Sequence, residues 1–237
     1  MKGLVADIPV MGAEESGALA ARIAAMRAQW LPRGEGFYTI GVASYLDVMN
    51  SDDPEIAYYG RLTASNALID EHFTDLLETV RRTLAGFLGA PTRFEDAVAR
   101  PGFHIFEEVG ICTSEQPSQH FDLQHRFMRW PFAFASEDVI SFTLPLQLPA
   151  LGGGLDVWAI QEDDLQRLAR MGRDPCMAKL GRLKPFSRHR YSPGLMAVQL
   201  KPIMHRISPI ATFAPGDRRI TLQGHGVRDA DGWVLYW

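Results

Sequence analysis

Apolar residues in the first hundred positions recur every three or four residues, which is the spacing of one helix face. The pattern predicts an amphipathic helix over 14–30 and a longer helix over 55–88, with Gly60 as a candidate break in the second. Gly89 followed by Pro91 is a typical helix end. Between the two helices, a Pro-Arg-Gly stop is followed by aromatic and β-branched residues over 37–46, which favour a short strand.

After Pro101 the pattern changes to short β-like runs that turns rich in glycine and proline separate. We predict strands over 103–107, 139–148, 155–160, 195–200, 203–207, 219–223 and 233–237, and a charged helix over 161–173. Short strands with such turns are typical of a sandwich, a barrel or a jelly roll. We therefore expect mainly β structure with flanking α, in a single domain over 1–237, with a mainly helical part over 1–100 packed on a strand-rich core over 101–237.

Composition narrows the class of protein. A net charge of -4 argues against a dedicated nucleic-acid binder, because phosphate recognition needs a basic surface. No apolar run is long enough for a membrane span, and an acid at Asp7 interrupts any signal-peptide core, so we expect a cytoplasmic protein without a membrane partner. Cys112 and Cys176 alone make neither a disulfide framework nor a cysteine metal site.

Candidate chemistry begins at His120-Phe121-Asp122. In an extended strand the side chains of residues i and i+2 point to the same face, so this imidazole and this carboxylate would converge. A third ligand must come from elsewhere, and His205 in the β-like run 203–207 is the leading candidate, with His125 and His225 as the alternatives. Two histidines and one carboxylate on one side of a metal form a facial triad. The motif alone is weak, because a chain with seven histidines often contains a His-x-Asp by chance.

Arg219 and Thr221 follow His205 in the next β-like run. If 203–207 and 219–223 are neighbouring strands joined through a turn at Pro215-Gly216, Arg219 and Thr221 share one face. An arginine fork matches a carboxylate, and a hydroxyl two residues later adds a hydrogen bond, so a dicarboxylic acid could chelate the metal at one end and bind Arg219 at the other. A strand register shifted by one residue would put Arg218 in that place.

The ordered set His120-x-Asp122, His205 and Arg219-x-Thr221 resembles the Fe(II)/2-oxoglutarate-dependent oxygenase superfamily, of the prolyl-hydroxylase-like kind. The resemblance covers about residues 100–225 and includes the glycine turn 152–154, which is similar to the turn before a central jelly-roll strand in such enzymes. It implies a double-stranded β-helix (jelly roll) core, with the N-terminal helices packed on it. It also implies Fe(II) held by His120, Asp122 and His205, and 2-oxoglutarate held by Arg219 with Thr221.

The activity that the resemblance implies is hydroxylation, or another C–H oxidation, that consumes O2 and 2-oxoglutarate and releases succinate and CO2. The small chain favours a small-molecule substrate, whose identity and oxidised position stay open, as does the oligomeric state. Two alternatives stand beside this reading: a cupin-like metal enzyme that does not use 2-oxoglutarate, and a non-catalytic jelly-roll binding protein. Thr143 and Gln147, on one face of the predicted strand 139–148, are further candidates for contact with the cosubstrate.

Overall fold

The computed structural model describes residues 4–107, 119–172, 176–210 and 214–237. The helices there are α1 (Ala13–Ala25), α2 (Ser44–Asp47), α3 (Pro54–Ala57), α4 (Leu62–Leu88), α5 (Glu162–Arg170) and α6 (Met177–Leu183). The strands are β1 (Ala6–Pro9), β2 (Leu31–Gly34), β3 (Phe37–Ile40), β4 (Thr92–Phe94), β5 (Gly102–Glu107), β6 (Ala135–Gln147), β7 (Leu155–Gln161), β8 (Phe186–His189), β9 (Leu195–Gln199), β10 (Ile203–Ile207), β11 (Arg218–Asp229) and β12 (Gly232–Tyr236).

Two sheets form the β structure. The major sheet has the order β1-β9-β6-β11-β5-β3-β2, with β12 pairing both β11 and β4, and the minor sheet has the order β10-β7-β8. All the pairings are antiparallel except that of β12 with β4. Leu155 and Val157 of the minor sheet pack against Ala197 of the major sheet, so the two sheets face each other. This arrangement is the predicted jelly roll, and in the described residues the two sheets do not close into one barrel.

Helices α1 and α4 cover the outer face of the major sheet, the face turned away from the minor sheet, whereas α5 and α6 pack against residues of the minor sheet. Ile220 and Leu222 of β11 point into this helical core, which also contains residues of α1, α4 and β5. Because side chains alternate along a strand, their neighbours Arg219, Thr221 and Gln223 point to the opposite, inner face, toward the minor sheet. Alternation along β11 therefore separates an apolar core from a polar interior.

Several predicted boundaries are wrong in the N-terminal part. The first helix ends at Ala25 and a single 3-10 turn (Arg27–Gln29) follows, and the Pro-Arg-Gly stop is itself strand β2, paired with β3. The predicted strand 37–46 ends at Ile40, because α2 begins at Ser44. Asp47 holds that short helix by accepting a hydrogen bond from the Ala43 backbone N–H (2.7 Å) and a bidentate ion pair from Arg33.

The break expected at Gly60 is confirmed, since α3 ends at Ala57 and α4 begins at Leu62 after a 3-10 turn. Each of the strands predicted after Pro101 is present, although β6 and β11 are longer than predicted. The predicted helix over 161–173 is α5, and its last predicted residue lies outside the described residues, as does Cys112. Cys176 is exposed and free. No helix among the described residues is both long and apolar enough to cross a bilayer.

One predicted strand pairing is wrong. Strand β10 pairs with β7 in the minor sheet, whereas β11 lies between β6 and β5 in the major sheet. The connection between Ile207 and Arg218, with its turn at Pro215-Gly216, therefore crosses from one sheet to the other. His205 and Arg219 consequently lie in facing sheets, on either side of the interior.

Candidate active site

The structure brings His120, Asp122 and His205 together. One ligand atom from each lies within 4.8 Å of the other two, as a metal site requires. Nε2 of His205 is 3.6 Å from Asp122 Oδ2, and Nε2 of His120 is 3.8 Å from Asp122 Oδ1. The two histidines form an isolated β-bridge, in which each backbone N–H donates to the other residue's carbonyl at 3.0 Å. The bridge places both imidazoles next to the same carboxylate.

The predicted extended strand through 120–122 is wrong. His120 makes only that single bridge, and residues 121–123 belong to no strand or helix. Phe121 still turns away from the cluster, as expected, because it packs with Trp158 and Met204. The chain thus brings Asp122 back toward His120 through a loop and not through strand alternation.

Protonation suits ligation. His205 Nδ1 lies 2.8 Å from the Ile203 carbonyl, which accepts its hydrogen and leaves the Nε2 lone pair facing Asp122. Burial lowers the pKa of His205 to about 4, so the ring is neutral at pH 7. Burial alone would raise the pKa of Asp122. The histidines around the carboxylate, together with an interaction with Ser141, instead hold this pKa well below its usual range. The carboxylate is therefore anionic.

Arg219 is a buried cation. Its side chain is 1% exposed, and no carboxylate within the described ranges forms an ion pair with it. Its Nε donates to the Gly153 carbonyl at 2.9 Å, and a terminal nitrogen donates to Thr221 Oγ1 at 3.3 Å. The rings of Phe106 and Tyr191 each lie 5.8 Å from the guanidinium. Burial lowers the pKa of Arg219 to about 10, which measures how poorly this environment solvates the charge.

The glycine turn before β7 presents the carbonyl to Arg219. Gly152 and Gly153 have φ of +101° and +75°, a conformation that favours glycine. A Cβ at Gly152 would lie 2.5 Å from the Pro209 carbonyl oxygen, so no other residue fits there without movement. The turn therefore depends on glycine and sets the position of one hydrogen-bond partner of Arg219.

Arg218 lies on the other face of β11. It is 33% exposed and its Nε is 3.5 Å from Glu107 Oε1, so this charge already has a partner. The sequence alone leaves open which of the two arginines points into the interior. The structure shows that it is Arg219.

A chain of hydrogen bonds extends from Arg219 along the inner face. Gln223 Nε2 donates to Thr221 Oγ1 at 3.1 Å, and Thr143 Oγ1 donates to Gln223 Oε1 at 3.1 Å. Thr143 therefore lies in the site as a neighbour of this network. Gln147 is opposite Ile220, beyond a β-bulge, and none of the hydrogen bonds of this network includes it.

Sequence analysis undervalues two inner-face histidines, His225 and His104, and also Tyr45 of α2. His225 faces Asp122, its Nδ1 3.9 Å from Asp122 Oδ2, and His104 lies opposite Thr221 with its Nε2 2.8 Å from the Tyr45 hydroxyl. The signal for His225 was present in the alternation of polar Arg219, Thr221, Gln223 and His225 with apolar residues and glycine. The sequence gives no comparable signal for Tyr45, because the pattern over 37–46 predicts a strand there and not the short helix α2.

No protein-family model matches the chain, and no curated protein matches it. Among solved structures, the chain is similar to the non-heme α-ketoglutarate-dependent carbocyclase SnoK from nogalamycin biosynthesis, with a TM-score of 0.51 at 13% identity over 99% of this chain and 92% of that one. An N-substituted L-amino acid dioxygenase from Burkholderia ambifaria AMMD gives a TM-score of 0.44 at 16% identity, covering 92% of this chain and 91% of its own.

A Pseudomonas putida prolyl-4-hydroxylase gives a TM-score of 0.41 at 16% identity, over 96% of this chain and 93% of its own. At these identities the likeness to SnoK establishes the fold alone. The jelly-roll fold that the sequence-based resemblance implied is therefore confirmed.

Proposed function

We propose that this chain is an Fe(II)- and 2-oxoglutarate-dependent dioxygenase that hydroxylates, or otherwise oxidises a C–H bond of, a small-molecule substrate and releases succinate and CO2. One observation carries the proposal: the jelly-roll interior contains both a His-Asp-His cluster and a buried arginine that forms no ion pair with a carboxylate of the described residues. The cluster accounts for a metal, and the arginine accounts for a cosubstrate with a free carboxylate.

The donor set fits Fe(II). His120, His205 and Asp122 offer two imidazole nitrogens and one carboxylate from one side, which is the facial arrangement that non-haem Fe(II) oxygenases use. The anionic carboxylate offsets part of the charge of the metal, and the neutral His205 presents a lone pair. A metal held by these three residues would keep coordination positions for the cosubstrate and O2.

Arg219 fits the distal carboxylate of 2-oxoglutarate. A buried guanidinium is costly unless an anion binds it, and a bidentate carboxylate returns both charge and hydrogen bonds. The Thr221 hydroxyl is already within hydrogen-bond distance of the guanidinium and can donate to the same carboxylate. The rings of Phe106 and Tyr191 lie against the guanidinium and would limit the access of water to this contact, which would strengthen it.

The residues of the chain have distinct tasks in the proposed reaction. When bound, the iron with 2-oxoglutarate and O2 supplies the oxidising chemistry, and the oxidative decarboxylation of the cosubstrate accompanies oxidation of the substrate. Arg219 and Thr221 orient one end of the cosubstrate, while His120, Asp122 and His205 hold the metal at the other end. The substrate is proposed to be a small molecule, because the chain carries few long insertions beyond the jelly roll.

Neither of the two alternative functions explains the buried charge of Arg219. A cupin-like metal enzyme that does not use 2-oxoglutarate would need the metal ligands but no buried cation across the interior from them. A non-catalytic jelly-roll binding protein would need neither in this combination. Metal-dependent binding of 2-oxoglutarate therefore separates the proposed function from both alternatives.

The test is a calorimetric titration of 2-oxoglutarate into the protein, anaerobically loaded with Fe(II) and, separately, stripped of metal. We expect 1:1 binding that depends on the metal, and weaker, metal-independent binding of glutarate, which keeps the distal carboxylate but lacks the 2-oxo group that chelates. Metabolite pools added before oxygen is admitted should then yield substrate-dependent succinate. Absence of 2-oxoglutarate binding to the iron-loaded protein would refute the proposal.

A further inference from the structure

Asp122 has little backbone support for its position. Residues 121–123 form no strand pairing, and their backbone hydrogen bonds are those from the Leu123 N–H to the Phe121 carbonyl and from the Arg126 N–H to the Leu123 carbonyl, both 3.1 Å long. A metal-binding carboxylate needs a defined orientation, and ligands generally obtain it from hydrogen bonds to surrounding groups. The orientation of Asp122 must therefore depend on side chains from the sheet beside it.

Two inner-face residues of the major sheet meet at this carboxylate. His225 of β11 and Ser141 of β6 are directly opposite each other in the strand register. Nδ1 of His225 is 3.1 Å from Ser141 Oγ and 3.9 Å from Asp122 Oδ2. The Ser141 hydroxyl also interacts with the Asp122 carboxylate and helps to lower the pKa of that carboxyl group.

His225 is itself held firmly. It is 7% exposed, and its ring packs on Tyr236, its partner on the other neighbouring strand, with ring centroids 5.5 Å apart. At His225 the neighbours of β11 are β6 and β12. Both strands thus fix the imidazole, β6 through Ser141 and β12 through Tyr236. A residue fixed in this way can transmit the geometry of the sheet to a loop.

We propose that His225 and Ser141 are positioning residues that orient the Asp122 carboxylate for metal binding. The Nδ1–H of His225 donates to the Ser141 hydroxyl, and the hydroxyl donates to Asp122. The inference rests on the proposed metal site and extends it to two residues that supply no ligand atom. His225 is not a ligand in this scheme, because its Nδ1 is used by Ser141 and the cluster that could hold a metal consists of His120, Asp122 and His205.

The experiment compares Co(II) binding by the full chain and by single variants. His225→Phe and Ser141→Ala break the relay, whereas His225→Asn keeps an N–H donor near the position of Nδ1. His104→Gln is the matched control, because His104 is also a buried inner-face histidine but bonds Tyr45 and not Asp122. Calorimetry gives the dissociation constant, and the visible spectrum of bound Co(II) reports the coordination geometry.

We expect His225→Phe and Ser141→Ala to weaken Co(II) binding about 10- to 100-fold and to change the Co(II) spectrum, as substitutions behind metal ligands commonly do. His225→Asn should recover most of the affinity, and His104→Gln should leave affinity and spectrum unchanged. Cooperative thermal unfolding without metal identifies the variants that fold, and Ser141→Ala decides the question if His225→Phe does not fold.

Three results would overturn the inference or its basis. Unchanged affinity and spectrum in folded His225→Phe and Ser141→Ala would refute the positioning role and leave the proposed function intact. A loss in His225→Phe as complete as that in His205→Ala, without recovery in His225→Asn, would make His225 a ligand. Failure of the unmodified chain to bind Co(II) would refute the proposed function itself.

Discussion

Replacement of Arg219 by methionine tests the proposed cosubstrate site most directly. Arg219→Met keeps most of the side-chain volume between Phe106 and Tyr191 but removes the charge. We expect the variant to lose most of its affinity for 2-oxoglutarate while its affinity for the metal stays nearly unchanged, because Arg219 contacts none of the three metal ligands.

The structure sets the expected magnitude. Truncation of one partner of a buried, hydrogen-bonded charge pair costs about 2–5 kcal/mol, so the dissociation constant of 2-oxoglutarate should rise at least about 30-fold. Without cosubstrate, the same substitution is not expected to destabilise the protein. Burial lowers the pKa of Arg219 to about 10, which corresponds to roughly 3 kcal/mol against the charged form. That relief offsets the two lost hydrogen bonds, each worth about 1 kcal/mol, so the free energy of unfolding of the cosubstrate-free variant should not fall.

The assay pairs calorimetric titration of 2-oxoglutarate with urea unfolding of the cosubstrate-free protein. Arg218→Met is the matched control, because Arg218 is the adjacent arginine, is partly exposed and faces Glu107. We expect this control to bind 2-oxoglutarate like the unmodified chain. Unaltered affinity in Arg219→Met, or a larger effect at Arg218, would show that the interior arginine does not bind the cosubstrate.

Further predictions concern the His120-Asp122-His205 cluster and the residues around it. His205→Ala should abolish Fe(II) binding, measured by metal analysis after gel filtration, while cooperative unfolding is retained; full iron occupancy would contradict the ligand assignment. Burial lowers the pKa of His125 from 6.5 to about 4, so the unfolded chain binds this proton more readily, and stability should fall as the pH drops from about 6.5 toward 4. His125→Asn should flatten that slope in urea unfolding followed against pH, and an unchanged slope would exclude His125 as its source. Asp122 is an anion, so with a dianionic cosubstrate the metal would face three negative charges, and added chloride would be disfavoured. Mass spectrometry should therefore find a product heavier by one oxygen, desaturated or cyclised even in high chloride, and a chlorinated product would refute the role of Asp122.

Local patterns predicted much of the fold. Helical spacing indicated the segments of α1 and α4, and short β-like runs indicated the strands after Pro101. These signals depend on neighbours in sequence, so a single chain displays them. Strand β8 carried no such signal, because it is four residues long with an alternating half-buried pattern in a basic segment. Strand β4, three residues long and paired in parallel with β12, was missed for the same reason.

Contacts between distant segments were less predictable. The residues His120, Asp122 and His205 were named correctly as a cluster, but the expected reason, an extended strand through 120–122, was wrong. The assumed neighbours β10 and β11 belong to different sheets, because hydrophobic alternation indicates which face a residue occupies but not which strand lies beside it. The pairing that matters, His120 with His205, is a single bridge without periodicity in the sequence.

The register of β11 determines both ends of the candidate site. Arg219 and His225 point to the same face of this strand, the first toward the proposed cosubstrate carboxylate and the second toward Asp122. A shift of one residue would exchange them with Ile220 and Gly226, and would move the charge of Arg219 into the core that α4 covers. Pairing with β5 and β6 on either side, together with the buried Ile220 and Leu222, excludes that shift. The apolar face of the strand thus holds the polar face in register, and the stability of the fold and the geometry of the site have the same physical origin.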